Sequence, residues 1–489
     1  MDLAVLLVRW QVHILASLLA SVAVIAFVGD SRFALSGEAR ASTHVDGGVP
    51  GNQVTPALAF DGTKYLVAWH DRRSGNDIYG ARVSLAGAVL DPGGIPISTA
   101  PNPKGGPALA FDGTNYLVAW EDGRLGPVHI YAARVSSAGA VLDSGGIAIS
   151  SAPQYQAHPS LAFDGTNYLI AGLDLRSAQT IYGARVSPAG AVLDPGGIAI
   201  STALSSHEQP ALAFDGTNYL VAWHDRRAGD DIYGARVSSA GAVLDPGGIP
   251  ISTAPDDQAQ PALAFDGTNY LVTWTDWRSD LTDIYGARVS PAGAVLDPGG
   301  IPVGTTPTYQ ISPALAFDGT NYLVIWEDDR SGTDGDIYGA RISPAGAVLD
   351  PGGILIAKTL AYQVSPALAF DGTNYLVVWE DSRSGTDRDI YGARVSPAGA
   401  VLDPGGILIS TAGPPAPPPP VPPPVRCVVP RVIGLRLARA RTRIGRSKCS
   451  VGRIRRARSR RVGRVIAQSP RPGARRAHGA SVNLVVGRR

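Results

Sequence analysis

Residues 210–252 read PALAFDGTNYLVAWHDRRAGDDIYGARVSSAGAVLDPGGIPIS, and this stretch decides the fold. It divides into four short apolar runs. Asp-Gly joins the first two runs, which is the strongest short signal of a β-hairpin. Ser-Ser-Ala-Gly joins the third and fourth runs as another tight turn. No run has the length or the 3.6-residue period of a helix, so the stretch predicts four short antiparallel strands.

The same unit occurs seven times along the chain. The string Phe-Asp-Gly-Thr recurs every 51–53 residues, beginning at Phe60, Phe111, Phe163, Phe214, Phe265, Phe317 and Phe370. Periods of this size indicate a solenoid or a propeller. Four antiparallel strands in each of seven units match a seven-bladed β-propeller, which we place at residues 42–412.

The pattern within each unit predicts how the blades pack. In residues 65–69 both alternating faces are apolar, so we expect a neighbouring blade on each side of this strand. The first strand is built from small residues, as a crowded hub requires. Residues 45–50 resemble a truncated fourth strand and could pair with residues 407–410 of the last blade. An open or helical stack of blades is the alternative.

Composition narrows the class of protein. Of the 489 residues, 45% are hydrophobic and 17% charged, which excludes a chain kept open by self-repulsion. Two Cys exclude a disulfide mesh and a Cys-rich metal domain. The net charge of +2 hides a split, because the chain from Val425 onward has 20 Lys/Arg and no Asp/Glu. The rest has 23 basic and 41 acidic residues, a net charge of −18.

The N-terminus resembles an export signal. Arg9 precedes an uncharged, mostly apolar stretch at residues 14–28. Its 15 residues are few for a bilayer span of about 20 but normal for a signal peptide. Residues 1–41 are therefore predicted to form an apolar helix that is either a signal peptide or an uncleaved membrane anchor. A buried core helix is the alternative. The predicted location is extracellular, at the cell surface or in the cell wall.

One polar pattern repeats with the blades. Asp follows the second-strand Trp at +2 and Arg at +4, as in Trp223, Asp225 and Arg227, and the third copy has Gly172 in place of Trp. These positions share one face of a strand. A ring of carboxylates could bind a ligand or a metal. Sevenfold repetition favours a structural charge pair instead, because an active site needs an asymmetric set of groups.

The sixth copy contains a calcium candidate. Asp328, Asp334 and Asp336 lie close together with Gly between them, and Ca²⁺ takes six to eight oxygen ligands. Solvated turns are the alternative, and no other metal site or cofactor is predicted. The His residues show no paired ligand spacing, and no Gly-x-Ser-x-Gly nucleophile elbow occurs. The sequence predicts no catalytic residue.

The turn at residues 185–190, Arg-Val-Ser-Pro-Ala-Gly, resembles a degenerate Asp-box of the sialidase-like propellers. The box reads Ser-x-Asp-x-Gly-x-x-Trp, and here the Asp is Ala and the Trp is missing. In that family the box is a structural hairpin, so no catalytic residue is carried over. Some residues break the sevenfold pattern: Lys104, Tyr155, His158, Trp277 and Lys358. If they lie together with carboxylates in one pocket, an enzyme is favoured. If they are scattered, a binding or scaffold protein is favoured.

The C-terminal region carries a second resemblance. Residues 413–425 are nearly pure proline and predict a semi-rigid spacer of about 3 Å per residue. The chain after this spacer resembles a PASTA domain, through Val-Pro-Arg-Val-Ile-Gly at 429–434 and Gln-Ser-Pro-Arg-Pro-Gly at 468–473. The resemblance implies a small α+β domain at residues 426–489, with one helix on a small sheet. Such domains usually lie outside the cell, where some bind peptidoglycan fragments and others act as spacers.

Two features distinguish this PASTA copy. The resemblance places Cys427 and Cys449 close together, so in an exported protein a disulfide is predicted, with two free thiols as the alternative. The domain is also rich in exposed positive charge, and six arginines are predicted to bind peptidoglycan, another anionic wall polymer or lipid headgroups: Arg453, Arg455, Arg456, Arg458, Arg460 and Arg461. A solvated surface without a partner is the alternative. Nucleic acid is not expected, because the domain has no aromatic residue to stack bases.

Together these observations predict an exported cell-surface or wall-associated binding or scaffold protein; they leave enzymatic activity open but favour binding over it. The propeller would bind a protein or glycan ligand, the basic domain would attach to the wall, and membrane contact would involve only the N-terminal segment. The alternatives are a secreted carbohydrate-active enzyme, a sialidase-like glycosidase or lyase, and a structural protein whose acidic propellers meet the basic tails of neighbours.

Overall fold

The computed structural model describes residues 51–410, except 74, 177–178, 204–205, 280, 333–334 and 386, and residues 427–489, except 477–478. The chain forms two compact units. The predicted N-terminal segment (1–41), the possible ring-closing strand (45–50) and the proline spacer (413–425) lie outside the described residues. No helix in the described part of the chain combines the length and apolarity needed to cross a membrane.

In its described residues the first unit consists of seven four-stranded antiparallel sheets with their strands in sequence order. Blades 1 to 4 comprise β1 Gln53–Phe60, β2 Lys64–Asp71, β3 Asp77–Ser84 and β4 Ile95–Ser98; β5 Lys104–Phe111, β6 Asn115–Asp122, β7 His129–Ser136 and β8 Ile147–Ala148; β9 Gln156–Phe163, β10 Tyr168–Asp174, β11 Thr180–Val186 and β12 Ile198–Ala199; β13 His207–Phe214, β14 Asn218–Asp225, β15 Asp231–Ser238 and β16 Ile249–Ser252.

Blades 5 to 7 repeat this order. They comprise β17 Gln258–Phe265, β18 Tyr270–Asp276, β19 Asp283–Val289 and β20 Ile301–Gly304; β21 Gln310–Phe317, β22 Tyr322–Asp328, β23 Asp336–Ile342 and β24 Ile354–Ala357; β25 Gln363–Phe370, β26 Tyr375–Asp381, β27 Asp389–Val395 and β28 Ile407–Ser410. The predicted seven-bladed propeller of four-stranded blades is confirmed.

The first strand of each blade lies at the hub. β1 contacts β5 of blade 2 and β25 of blade 7, so the small residues of these strands face one another around the axis. Seven apolar clusters fill the seven interfaces between adjacent blades. Residues 65–69 are at most 1% exposed, which confirms that this strand is covered on both faces.

The ring closes between blades 7 and 1. Tyr65 and Trp69 pack with Leu376 and Ile409 in one core cluster. The Tyr65 hydroxyl donates to the carbonyl of Asn374 at 3.2 Å. Among the described residues, all four strands of blade 1 come before residue 99 and all four strands of blade 7 come after residue 362, so neither blade borrows a strand from the other end of the chain. Packing between complete blades therefore closes the ring, and the open stack is wrong.

A bulge that the sequence analysis missed interrupts every hub strand. The β1–β2 register shifts between Val54 and Ala57, and Thr55 has φ 51°. The next residue is always Pro, which cannot donate to the ladder. Equivalent residues with positive φ are Gly106, His158, Gln209, Gln260, Ser312 and Ser365. The sequence signal for these bulges was the proline inside each of the seven first strands.

The described part of the second unit has one helix and five strands. The elements are β29 Cys427–Val428, α1 Leu437–Arg446, β30 Ser450–Arg458, β31 Val465–Ser469, β32 Arg475–Arg476 and β33 Ser481–Arg488. β33 lies between β30, which is parallel to it, and β31, which is antiparallel. Ala440 and Ile444 of α1 pack on Leu484 of β33. Cys427 and Cys449 form a disulfide, so the predicted pairing is confirmed.

Candidate functional site

The repeated carboxylates are used inside the blades. In blade 4, Asp225 accepts hydrogen bonds from Trp223 Nε1 at 2.9 Å and from Arg227 Nη2 at 2.6 Å. The Arg227 guanidinium lies 3.9 Å from the centre of the Tyr233 ring and donates to the carbonyl of Gly247 at 2.7 Å. Asp225 is 0% exposed, so these contacts favour the structural interpretation of the repeated Asp and Arg.

A second ring of ion pairs joins each blade to the next. Arg236 donates to both carboxylate oxygens of Asp245, at 2.8 and 2.9 Å, and to the carbonyl of Pro291 in blade 5 at 3.3 Å. Hydrogen bonds from Arg236 lower the pKa of Asp245. Arg185, which begins the Asp-box-like turn, pairs with Asp194 in the same way. These side chains support the hairpins.

The two ends of the propeller differ in sequence. One end carries the Asp-Gly-Thr and Ser-x-Ala-Gly turns, which are nearly identical in all blades. The other carries the loops after the second strand and the connections between blades, which vary. We call this second surface the variable end; it consists of the described residues within 72–76, 123–128, 175–179, 226–230, 277–282, 329–335 and 382–388, and within 99–103, 149–155, 200–206, 253–257, 305–309 and 358–362. It offers the asymmetric groups that a specific ligand requires.

Blades 2 and 3 bring Tyr155, His158 and Glu121 close together at the variable end. The backbone N–H of His158 donates to Glu121 Oε1 at 2.9 Å, and its Nδ1 lies 3.9 Å from the same oxygen. Tyr155 is half-buried, and burial, followed by the charges of Glu121 and Glu208, raises the pKa of Tyr155 to about 12. Tyr155 and His158 therefore share one carboxylate neighbour.

The other residues that break the sevenfold pattern lie elsewhere. Lys104 is buried between blades 1 and 2, with Nζ 3.3 Å from Asp77 Oδ1. Trp277 is half-buried in blade 5. Lys358 follows the last strand of blade 6, with Nζ 3.9 Å from Asp336 Oδ2. The five residues are thus spread over several blades and do not form one common pocket.

One buried set has the composition of a catalytic triad. Ser201 Oγ lies 2.7 Å from His207 Nδ1, and His207 Nε2 lies 3.0 Å from Asp225 Oδ2. Burial would raise the pKa of Asp225, but hydrogen bonds from His207, Arg227 and Trp223 outweigh it and lower the pKa. Ser201 is 3% and His207 0% exposed. Most other blades have Gln at this register, so His207 acts as a structural link.

The calcium candidate is only partly described. Asp328 accepts hydrogen bonds from Trp326 and Arg330, and Asp336 lies opposite Asp328 in the β22–β23 ladder. Asp334 lies outside the described residues. Within the described ranges no three His, Cys, Asp or Glu side chains form a metal-binding group. Calcium binding stays a prediction.

The predicted wall-binding arginines lie along one edge of the C-terminal unit: four are in β30, and Arg460 and Arg461 follow it. β30 is the outer strand of its sheet, and Arg455 and Arg456 point to opposite faces of it. All six predicted arginines are exposed. Residues 426–489 contain no Asp or Glu, so no carboxylate side chain of the domain neutralises them. A charged edge strand also discourages pairing with other sheets.

Comparisons with known proteins agree with both units. Residues 428–488 match the family model of the PASTA domain, so the C-terminal unit is a PASTA domain. A search of curated proteins finds no match to this sequence. The crystal structure of BP39L lectin from Burkholderia pseudomallei aligns with a TM-score of 0.57 at 18% identity, covering 73% of this chain and 99% of that one. This likeness shows a shared propeller fold.

Two further solved structures are less similar. A puromycin-hydrolyzing peptidase from Mycobacterium tuberculosis aligns with a TM-score of 0.46 at 13% identity, over 72% of this chain and 53% of that one. A thermostable family-43 glycoside hydrolase aligns with a TM-score of 0.34 at 12% identity, over 55% of this chain and 96% of that one. At these TM-scores neither structure indicates an activity for this chain.

Proposed function

We propose that this protein is an exported, wall-associated binding protein. Its PASTA domain attaches to peptidoglycan or another anionic wall polymer, and its propeller presents the variable end to a protein or glycan ligand. The observation that carries the proposal is the basic edge of a PASTA domain that contains no acidic residue. The disulfide fits an oxidising location outside the cytoplasm.

The geometry of β30 suits a linear anionic polymer. Alternate residues of a strand are about 7 Å apart, so Arg456 and Arg458 present a regular row of charge on one face, and Arg455 lies on the other. Guanidinium groups bind carboxylates and phosphates through paired N–H donors. The side chains are exposed, so the attraction is expected to weaken as salt screens it.

The charge split supports a division of labour between the two units. A propeller region with a net charge of −18 is repelled by an anionic wall, whereas the C-terminal region is attracted to it. Attachment is therefore assigned to the PASTA domain, and ligand binding to the propeller's variable end. The fold shared with a lectin is consistent with a glycan as that ligand.

Co-sedimentation with purified peptidoglycan tests the attachment. We expect the whole protein to sediment with the polymer and a chain ending at Pro424 to stay in solution. A variant with glutamine at all six predicted arginines should lose most of the retention, about tenfold or more, because its summed electrostatic attraction is removed. Raising the salt concentration should release the whole protein.

A charge-matched variant provides the control. Six exposed arginines elsewhere in the domain are replaced by glutamine: Arg431, Arg436, Arg439, Arg441, Arg443 and Arg446. This variant should keep more retention than the first. Equal losses would contradict the assignment to the β30 edge, and equal sedimentation of the whole and shortened chains would contradict attachment by the PASTA domain.

A further inference from the structure

Blade 3 lacks the tryptophan that fills each of the other blades. Gly172 of β10 occupies the register of six Trp residues that are 0–1% exposed. Each of these indole rings donates its Nε1–H to the Asp two residues later at 2.8–2.9 Å: Trp69, Trp120, Trp223, Trp274, Trp326 and Trp379. The other six blades therefore show how an indole ring fills this position.

A cavity of about 20 Å³ remains at Gly172, which is room for about one water molecule. It lies between blades 2 and 3 and is partly open to solvent. Ile130 of blade 2 occupies part of this space, and its Cδ1 lies where the Cβ of a side chain at residue 172 would be placed. We call this cavity the blade 3 slot; its lining includes Ile130, Ile149, Ile170, Asp174, Tyr182 and Gly197.

The hydrogen-bond acceptor of the missing ring is retained. Asp174 Oδ2 accepts from Gln156 Nε2 at 2.8 Å and from Arg176 Nη2 at 2.7 Å. Blade 1 shows that such an oxygen also has room for a ring N–H. There Asp71 Oδ2 accepts from both Gln53 Nε2 at 3.2 Å and Trp69 Nε1 at 2.9 Å.

The outer wall of the slot is also altered. β8 and β12, the outer strands of blades 2 and 3, have two residues each, whereas the other five outer strands have four. Blade 2 has Ala132 where the other blades have Gly. At Gly80 of blade 1 an added Cβ would lie 3.0 Å from Ile97 Cδ1, and by analogy we expect the Ala132 methyl to leave less room for the equivalent Ile149. The irregular edge therefore coincides with the missing ring.

We propose that the blade 3 slot binds the indole ring of a small ligand, a planar bicyclic aromatic with a ring N–H. The ring lies between Ile170 and the isoleucines of blade 2 and donates its N–H to Asp174 Oδ2. Ile130 changes rotamer to admit it. The slot has room for only about one water molecule while Ile130 lies in it, so this change of rotamer is needed to make room. A bound ring would restore packing contacts that the poorly filled site has lost.

Titration of the whole protein with indole tests this inference. The δ1-methyl signal of Ile130, assigned with Ile130→Val, should shift saturably at millimolar indole. 1-Methylindole has no N–H, so it should bind about tenfold more weakly to the wild-type protein. N-acetyltryptophanamide separates the possible sources: binding as tight as that of indole assigns the slot to a tryptophan side chain, and weaker binding assigns it to a free ring compound.

Two variants provide controls. Gly172→Trp should abolish indole binding, because the protein's own ring fills the slot, and Ile130→Ala should tighten it severalfold by removing the side chain that occupies it. An unchanged Ile130 signal, equal affinity for indole and 1-methylindole, or undiminished binding to Gly172→Trp would overturn the proposal. The comparison of the two ligands needs only the wild-type chain.

Discussion

Replacing Trp326 by alanine is expected to lower the free energy of unfolding of the propeller by about 3–5 kcal/mol. The side chain is 1% exposed and packs across the interface with blade 5, against Leu271 and Val303. Its Nε1–H donates to Asp328, which stays buried in the variant with one donor fewer. Urea denaturation followed by circular dichroism measures the loss.

Leu349→Ala is the matched control for Trp326→Ala. Leu349 is 42% exposed on the outer turn of the same blade, so its truncation should change the free energy of unfolding by less than about 1 kcal/mol. Similar losses in the two variants would contradict the view that the tryptophans hold adjacent blades together.

Removing the disulfide through paired Cys427→Ser and Cys449→Ser substitutions should lower the stability of the PASTA domain by about 3 kcal/mol. The two cysteines are separated by 22 residues, and the bond restricts the unfolded chain between them. The domain has a small core around Val432, Ala440 and Leu484, so this loss is a large share of its stability. Differential scanning calorimetry measures the shift.

The propeller is the internal control for the disulfide experiment. Both cysteines of the chain lie in the PASTA domain, so the melting of the propeller should not move in the variant or in dithiothreitol. A C-terminal transition that also stays in place would contradict a stabilising role for the bond.

The strands could be predicted from the sequence because the residues of each turn are characteristic of that type of turn. Asp61 and Gly62 define the first hairpin: the carboxylate accepts from the backbone N–H of Thr63 at 2.8 Å, and Gly62 has φ 92°. The bulge at Thr55 was missed, because a local pattern of small residues also fits a regular strand. It is also accompanied by a contact with another blade, where Glu380 Oε1 accepts the Thr55 N–H at 2.9 Å.

The candidate sites were predictable to different degrees. The shared face of Asp225 and Arg227 follows from strand periodicity, but the stacking of Arg227 on Tyr233 depends on the next strand. Gly172 was visible as a departure from the repeat. The size of the cavity at Gly172 depends on how far Ile130 of the neighbouring blade fills it. The sequence of blade 3 alone does not reveal this.

In the closed ring the repeated groups support the blades, and the proposed ligand site is the variable end. Pulsed electron paramagnetic resonance tests the closure of the ring directly. Spin labels at Ala86 and Ala138 report on blades 1 and 2, and labels at Ala86 and Ala398 report on blades 1 and 7; all three sites are exposed. The described chain has no free cysteine to compete for label. Closure predicts the same distance distribution for both pairs, whereas a much longer distance for Ala86 and Ala398 would contradict it.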